Sequence, residues 1–194
     1  MELPKKKYNI IYADPAWAYN ESGSGNRVVH SKYPTMQVEE IEKLPIQDIA
    51  DDNCILFIWV TFPRLKEGLR VIESWGFKYI GLGFNWIKNN KKSNSVFWGM
   101  GYYTRQNPEV CLIGRKGKVT PVVRNIHSVV QSPIQEHSKK PDIVRDLIVK
   151  ICGNLPRIEL FARTKVQGWD AWGNEVPTEC QNRLTEVSLL SSHD

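Results

Sequence analysis

Tyr8-Asn9-Ile10-Ile11-Tyr12-Ala13 is a short apolar run that stops at Asp14-Pro15-Ala16-Trp17. A run of this kind, closed by a breaker, fits a strand covered on both faces, which confines the chain to a layered α/β architecture. Sites in such folds form at the carboxyl ends of the strands. The residues found there have chemistry to offer. Asp14 and the Pro15 carbonyl can each accept an N–H, and Trp17 brings a flat ring for stacking. That set suits a planar molecule carrying an amino group. The structural alternative is an Asp-Pro turn with Trp17 in the core, and the tetrapeptide alone does not separate the two.

Further apolar runs alternate with helical patterns. Cys54 to Thr61 reads as a second buried strand, Tyr79 to Lys88 as a third, Glu109 to Gly114 as a fourth and Arg157 to Ala162 as a last. Thr35 is placed to cap a short helix over Met36 to Leu44. Pro63 opens a helix with Leu65, Leu69 and Ile72 on one face, stopped by Gly76. Pro141-Asp142 starts another through Cys152, with Val144, Leu147, Ile148 and Ile151 on one side and Gly153 as its end. Asn20 to Ser31 is Gly- and Ser-rich and fits a loop. Asn89 to Asn107 is polar, basic and aromatic without periodicity. This order predicts a mostly parallel sheet with helices on both faces, built as one domain over residues 1–176, followed by a polar tail over 177–194. Trp59, Trp75 and Trp98 are expected in the core.

Several function classes drop out. No Gly-x-x-x-x-Gly-Lys-Ser/Thr loop is present, and Gly81-x-Gly83 does not continue into a dinucleotide fingerprint. No apolar run approaches a membrane span and Met1 to Lys7 lacks the core of a signal peptide, so a cytoplasmic protein is expected. Cys54, Cys111, Cys152 and Cys180 are far apart and three lie in or beside apolar segments, which predicts buried thiols and no metal site. The net charge is +5, with basic residues gathered at Lys5 to Lys7, Lys88 to Lys92, Arg115 to Lys118 and Lys139-Lys140. Trp86, Phe97, Trp98, Tyr102 and Tyr103 are interleaved with them. Cations beside aromatics suit nucleic acid; solvated loop lysines beside core rings are the plainer account.

Taken in order, the segments resemble the adenine-N6 methyltransferase family of the eukaryotic messenger-RNA adenosine methyltransferase catalytic subunit, which has short bacterial and phage members. The resemblance runs through Ala13 to Trp17, Tyr33 to Met36, Leu56 to Thr61, Trp86 to Asn89, Glu109 to Gly114, Ser138 to Asp142, Ile158 to Arg163 and Trp172 to Glu175. It covers residues 8 to 176.

The resemblance implies a Rossmann-like fold that uses S-adenosyl-L-methionine, with the catalytic motif before the cofactor half in a permuted order. It assigns catalysis to Asp14, Pro15 and Trp17. It assigns the cofactor to Asp14, Lys140, Arg163, Asn174 and Glu175: carboxylate to Lys140, ammonium to Asp14, ribose to Arg163 and Glu175, adenine edge to Asn174. Tyr19, Tyr33, Trp86 and Tyr103 become candidates for the base pocket, and Lys88, Lys91, Lys92 and Arg115 for phosphate contacts. The loops Asn20 to Ser31 and Ser132 to Ser138 resemble gates over the site. Ala16 stands where the family usually has a second proline, which predicts a looser loop. Only seven residues precede Tyr8, whereas longer relatives have a strand there, so part of the adenine pocket is expected to be missing or supplied otherwise. The expected substrate is a DNA adenine, flipped out of any duplex. RNA adenosine is the runner-up, followed by cytosine N4 and a non-catalytic nucleic-acid-binding partner. A homodimer or second subunit is left open.

Overall fold

The computed structural model describes residues 2–18, 35–93, 95–135 and 139–176. Its described elements are β1 (Tyr8–Ala13), α1 (Val38–Glu42), β2 (Ala50–Val60), α2 (Leu65–Ser74), β3 (Lys78–Asn89), β4 (Glu109–Lys116), β5 (Val129–Pro133), α3 (Ile143–Cys152), β6 (Arg157–Leu160) and β7 (Asp170–Trp172). The seven strands form one sheet in the order β5-β3-β4-β2-β1-β6-β7. β1 pairs in parallel with both β2 and β6, and β3 with β5. β4 alone is reversed, running antiparallel to β2 and β3. This is the expected mostly parallel sheet.

Alternation along the central strands divides the core into two layers. Ile11 and Ala13 of β1, with Leu56, Ile58 and Val60 of β2, point to the face covered by Val38 and Ile41 of α1 and by Val71 and Ile72 of α2. Ile10, Tyr12, Ile55, Phe57 and Trp59 point to the other face, where Val144, Ile148 and Cys152 of α3 close over them. Helices therefore sit on both faces, as the apolar runs require.

Several boundaries differ from the sequence reading. β3 runs one residue further at each end, and β4 extends to Lys116. β5 and β7 are absent from that reading: one is a half-exposed edge strand ending in proline, the other only three residues long. α1 starts after Gln37, whose N–H donates to the Glu40 carboxylate at 2.8 Å, and not after Thr35. Pro63 lies in a 3₁₀ turn over Phe62–Arg64 that leads into α2. β6 stops at Leu160 because Phe161 takes a left-handed φ of 60°, a costly conformation outside glycine that turns the chain sharply. Trp59 and Trp75 are buried as expected, whereas Trp98 is 71% exposed.

Cys54, Cys111 and Cys152 are buried free thiols, and burial pushes Cys54 and Cys152 up to about 12. Cys180 lies outside the described residues. Among the described residues, no helix is long and apolar enough to cross a membrane.

One buried ion pair ties α3 to the sheet. Arg145 donates from Nε and Nη2 to the two carboxylate oxygens of Glu159 on β6, at 2.6 and 2.8 Å. Removing one partner leaves the other charge buried without compensation. Glu159→Ala is expected to cost about 3 kcal/mol of stability, read as a lower urea midpoint, whereas Arg145→Met with Glu159→Leu recovers most of it.

Candidate active site

The edge of the sheet where β1, β2, β3, β5, β6 and β7 end also receives the start of β4, because β4 runs the other way. Charged residues far apart in sequence meet there. Asp14 follows β1, Lys88 is near the end of β3, Glu109 opens β4, and Lys140 lies between β5 and α3. They form a chain of alternating sign. Lys140 Nζ lies 2.7 Å from Asp14 Oδ1 and 2.9 Å from Oδ2, and 3.3 Å from Glu109 Oε2. Lys88 Nζ sits 2.5 Å from Glu109 Oε1.

Burial acts on each of these groups, and the neighbours decide the outcome. Burial raises the Asp14 carboxyl above its ordinary value even though Lys140 pulls it down. Burial also raises Glu109, but two lysines outweigh it and hold that carboxyl below its usual range. Burial alone would discharge Lys140, and the two carboxylates instead raise its pKa. A cation held this way stays charged throughout the physiological range.

The motif after β1 is held by its backbone. The Trp17 N–H donates to the Pro15 carbonyl at 2.9 Å, closing a tight turn around Ala16. The Met36 N–H donates to the Ala16 carbonyl at 2.9 Å, and the Ala18 N–H to the Met36 carbonyl at 3.0 Å. Arg64 also donates to the Ala18 carbonyl. These bonds hold the segment in place where a second proline is missing. The Pro15 carbonyl keeps a second lone pair for another donor. Trp17 is 6% exposed, and its indole N–H donates to the Trp59 carbonyl at 3.1 Å. Stacking on a base therefore requires a face of Trp17 that is covered here.

The other sequence candidates fall into three groups. Arg163, three residues beyond β6, lies 4.0 Å from Glu175, two beyond Gly173, and Asn174 beside it is exposed. Trp86 is 3% exposed and packs edge-on against Trp59 at 6.4 Å, with Lys88 over its ring at 5.2 Å. Trp86 is thus a core ring under the site, and Lys88 an internal counter-ion of Glu109. Tyr103 is 94% exposed on a projecting loop, and Arg115 lies near the far end of β4, about 20 Å from Glu109 at the ordinary rise per residue. Tyr19, Tyr33, the Asn20 to Ser31 gate and residues 136–138 of the second gate lie outside the described residues.

Glu109 had no role in the sequence reading. The available signal was an acid opening an otherwise apolar strand, Glu109-Val110-Cys111-Leu112-Ile113-Gly114.

Residues 8–175 match the MT-A70 family. The chain belongs to the MT-A70 family. It is similar to the Type II methyltransferase M.MunI of a Mycoplasma species, at 38% identity over 91% of this chain and 81% of that protein. It is also similar to the N(6)-adenosine-methyltransferase catalytic subunit METTL3 of Homo sapiens, at 27% identity over 88% of this chain but 28% of that protein. A third relative is the N(6)-adenosine-methyltransferase MT-A70-like protein of Arabidopsis thaliana, at 29% identity over 87% of this chain and 24% of that protein. The chain is a methyltransferase, and MT-A70 methyltransferases use S-adenosyl-L-methionine.

The donor set at this edge fits that cofactor. A buried ammonium and a carboxylate match the two charges of a methionine zwitterion. An arginine, a carboxylate and an amide at the ends of β6 and β7 offer partners for ribose hydroxyls and an adenine edge.

Carbon-detected NMR titration of Asp14 is expected to give a midpoint above 3.8, the ordinary aspartate value, because burial favours the protonated form. Lys140→Met removes the neighbouring cation, and the midpoint is expected to move further up.

Proposed function

We propose that this methyltransferase acts on DNA and transfers a methyl group to N6 of adenine, using the end of β1 as its catalytic centre. The observation that carries the reading is the juxtaposition of Asp14 and Lys140, 126 positions apart in sequence, with Lys140 Nζ within 2.9 Å of both carboxylate oxygens. The higher identity to M.MunI, 38% against 29% and 27% for the two N(6)-adenosine-methyltransferases, supports DNA. The names of those larger relatives support the N6 position.

S-adenosyl-L-methionine supplies an electrophilic methyl group on a good leaving group when bound. Asp14 and the Pro15 carbonyl do the rest of the work on the nucleophile. The lone pair of adenine N6 is delocalised into the ring, so the amine attacks poorly. Two acceptors placed on its N–H groups favour a pyramidal nitrogen, aim the lone pair and stabilise the positive charge that develops. Lys140 has two parts in this arrangement. It orients the Asp14 carboxylate, and it is the cation for the cofactor's carboxylate. Arg163, Glu175 and Asn174 hold the nucleoside end. Tyr19 and Tyr33 are proposed for the base pocket, and Trp17 stacks on the base once the face covered here opens.

Incubation with labelled S-adenosyl-L-methionine and either DNA or RNA, followed by nucleoside analysis, tests this. N6-methyladenine in DNA is the expected product; label confined to RNA or to cytosine would overturn the assignment. Asp14→Ala is expected to lower the rate at least about a hundredfold, the scale of losing an electrostatic stabiliser at the reacting atoms. Lys140→Ala is expected to abolish calorimetric binding of the cofactor while thermal unfolding remains cooperative.

A further inference from the structure

The connection between β3 and β4 is a built arch with an apolar tip. Its root is clamped by Asn107, which accepts the Lys88 N–H at 3.0 Å and donates to the carbonyls of Lys88 at 2.9 Å and Phe97 at 2.6 Å. The Phe97 N–H donates to the Lys88 carbonyl and the Gly99 N–H to the Gln106 carbonyl, both at 2.8 Å. The two limbs approach so closely that a Cβ on Gly99 would lie 2.3 Å from the Gln106 carbonyl oxygen. A Cβ on Gly101 would lie 1.9 Å from that of Thr104. Beyond the clamp the arch carries Trp98, Met100, Tyr102 and Tyr103, exposed by 71, 87, 94 and 94%. The two tyrosine rings meet edge to face at 4.9 Å.

Four large apolar side chains held in water on a pinned support need a partner. Charge identifies it. From Asn89 to Pro108 there is no acidic residue, while Lys91, Lys92 and Arg105 are present and exposed. A second copy docking by two-fold symmetry would set these cations against themselves. A polyanion would be drawn to them. The arch also springs from the catalytic edge, because Lys88 at its root pairs with Glu109, and Glu109 with the Lys140 that holds Asp14.

We infer that this arch is a wedge for duplex DNA: Trp98, Met100 and the two tyrosines enter the base stack beside the target adenine, and Lys91, Lys92 and Arg105 take the flanking phosphates. A base extruded for methylation leaves a gap, and apolar side chains inserted at a base step offset part of the unstacking cost. The inference rests on the proposed action on DNA and adds to it a duplex substrate with an assigned strand-opening element.

The test uses duplex DNA free of N6-methyladenine and the same DNA heat-denatured, with methyl incorporation and duplex binding by fluorescence anisotropy measured side by side. In Trp98→Ala/Tyr102→Ala, incorporation into duplex is expected to fall about tenfold or more, on the scale of lost base–aromatic contacts. Incorporation into denatured DNA is expected to stay within about twofold of the unaltered protein. Trp98→Phe/Tyr102→Phe, which keeps both rings, is expected to restore duplex activity. Equal loss on both DNAs, or none on duplex, overturns the wedge. So does a dimer in sedimentation that the alanine variant dissociates, since the tip would then belong to a second copy. If the unaltered protein methylates neither DNA yet binds duplex in a way the alanine variant loses, the proposed reaction fails and the wedge stands. Failure to bind duplex at all overturns the wedge.

Discussion

The Asp14–Lys140–Glu109–Lys88 chain is the interaction on which the site depends. Taken alone, any one of these charges at this depth would be costly to keep ionised. Set in alternation, each supplies the counter-charge that its neighbour lost on leaving water. The arrangement also resolves a conflict within the site. In the proposed reaction Asp14 accepts an amine N–H as a carboxylate, yet burial favours its protonated form. Lys140 counters that tendency, and Asp14 and Glu109 together keep Lys140 charged.

The reversal of β4 makes this possible. In a wholly parallel sheet the start of a strand lies opposite the catalytic edge. With β4 reversed, Glu109 at its first position faces the same edge as the ends of β1 and β3. The same reversal brings the end of β3 and the start of β4 together as the two feet of the arch. One change of strand direction thus places both Glu109 and the feet of the arch at the edge where Asp14 lies.

Much of this was legible in the residues. The apolar runs of β1 and β2 are continuous because both their faces are covered, and such runs announce a parallel core. α2 and α3 were equally plain, since periodic apolar residues are bounded by Gly76 and Gly153, which adopt positive φ at the helix ends. Asp14 stood out as an acid closing an apolar run. The failures have physical causes. β5 and β7 are short edge strands whose existence depends on neighbours supplied from elsewhere, so no local pattern marks them. Trp86 and Trp98 are alike in sequence, both aromatics in a basic stretch, and only tertiary position separates a core ring from an exposed one. Glu109 escaped because its role is defined by two lysines from elsewhere, Lys88 on β3 and Lys140 before α3. Pairwise geometry of that sort has no signature along the chain.

The central position of β1 has a consequence for how the molecule comes into being. β1 is an apolar strand from the start of the chain, yet its neighbour β6 begins at Arg157. During synthesis one edge of β1 can pair early with β2, while its other edge waits for nearly all of the remaining sequence. Closing so long a loop is slow, and an apolar strand edge left open meanwhile is a template for pairing with other chains. The strand that leads into Asp14 is therefore also the point where the nascent chain is most exposed to misassembly, and yields on expression should respond to temperature and to chaperone supply more than the stability of the finished fold would suggest.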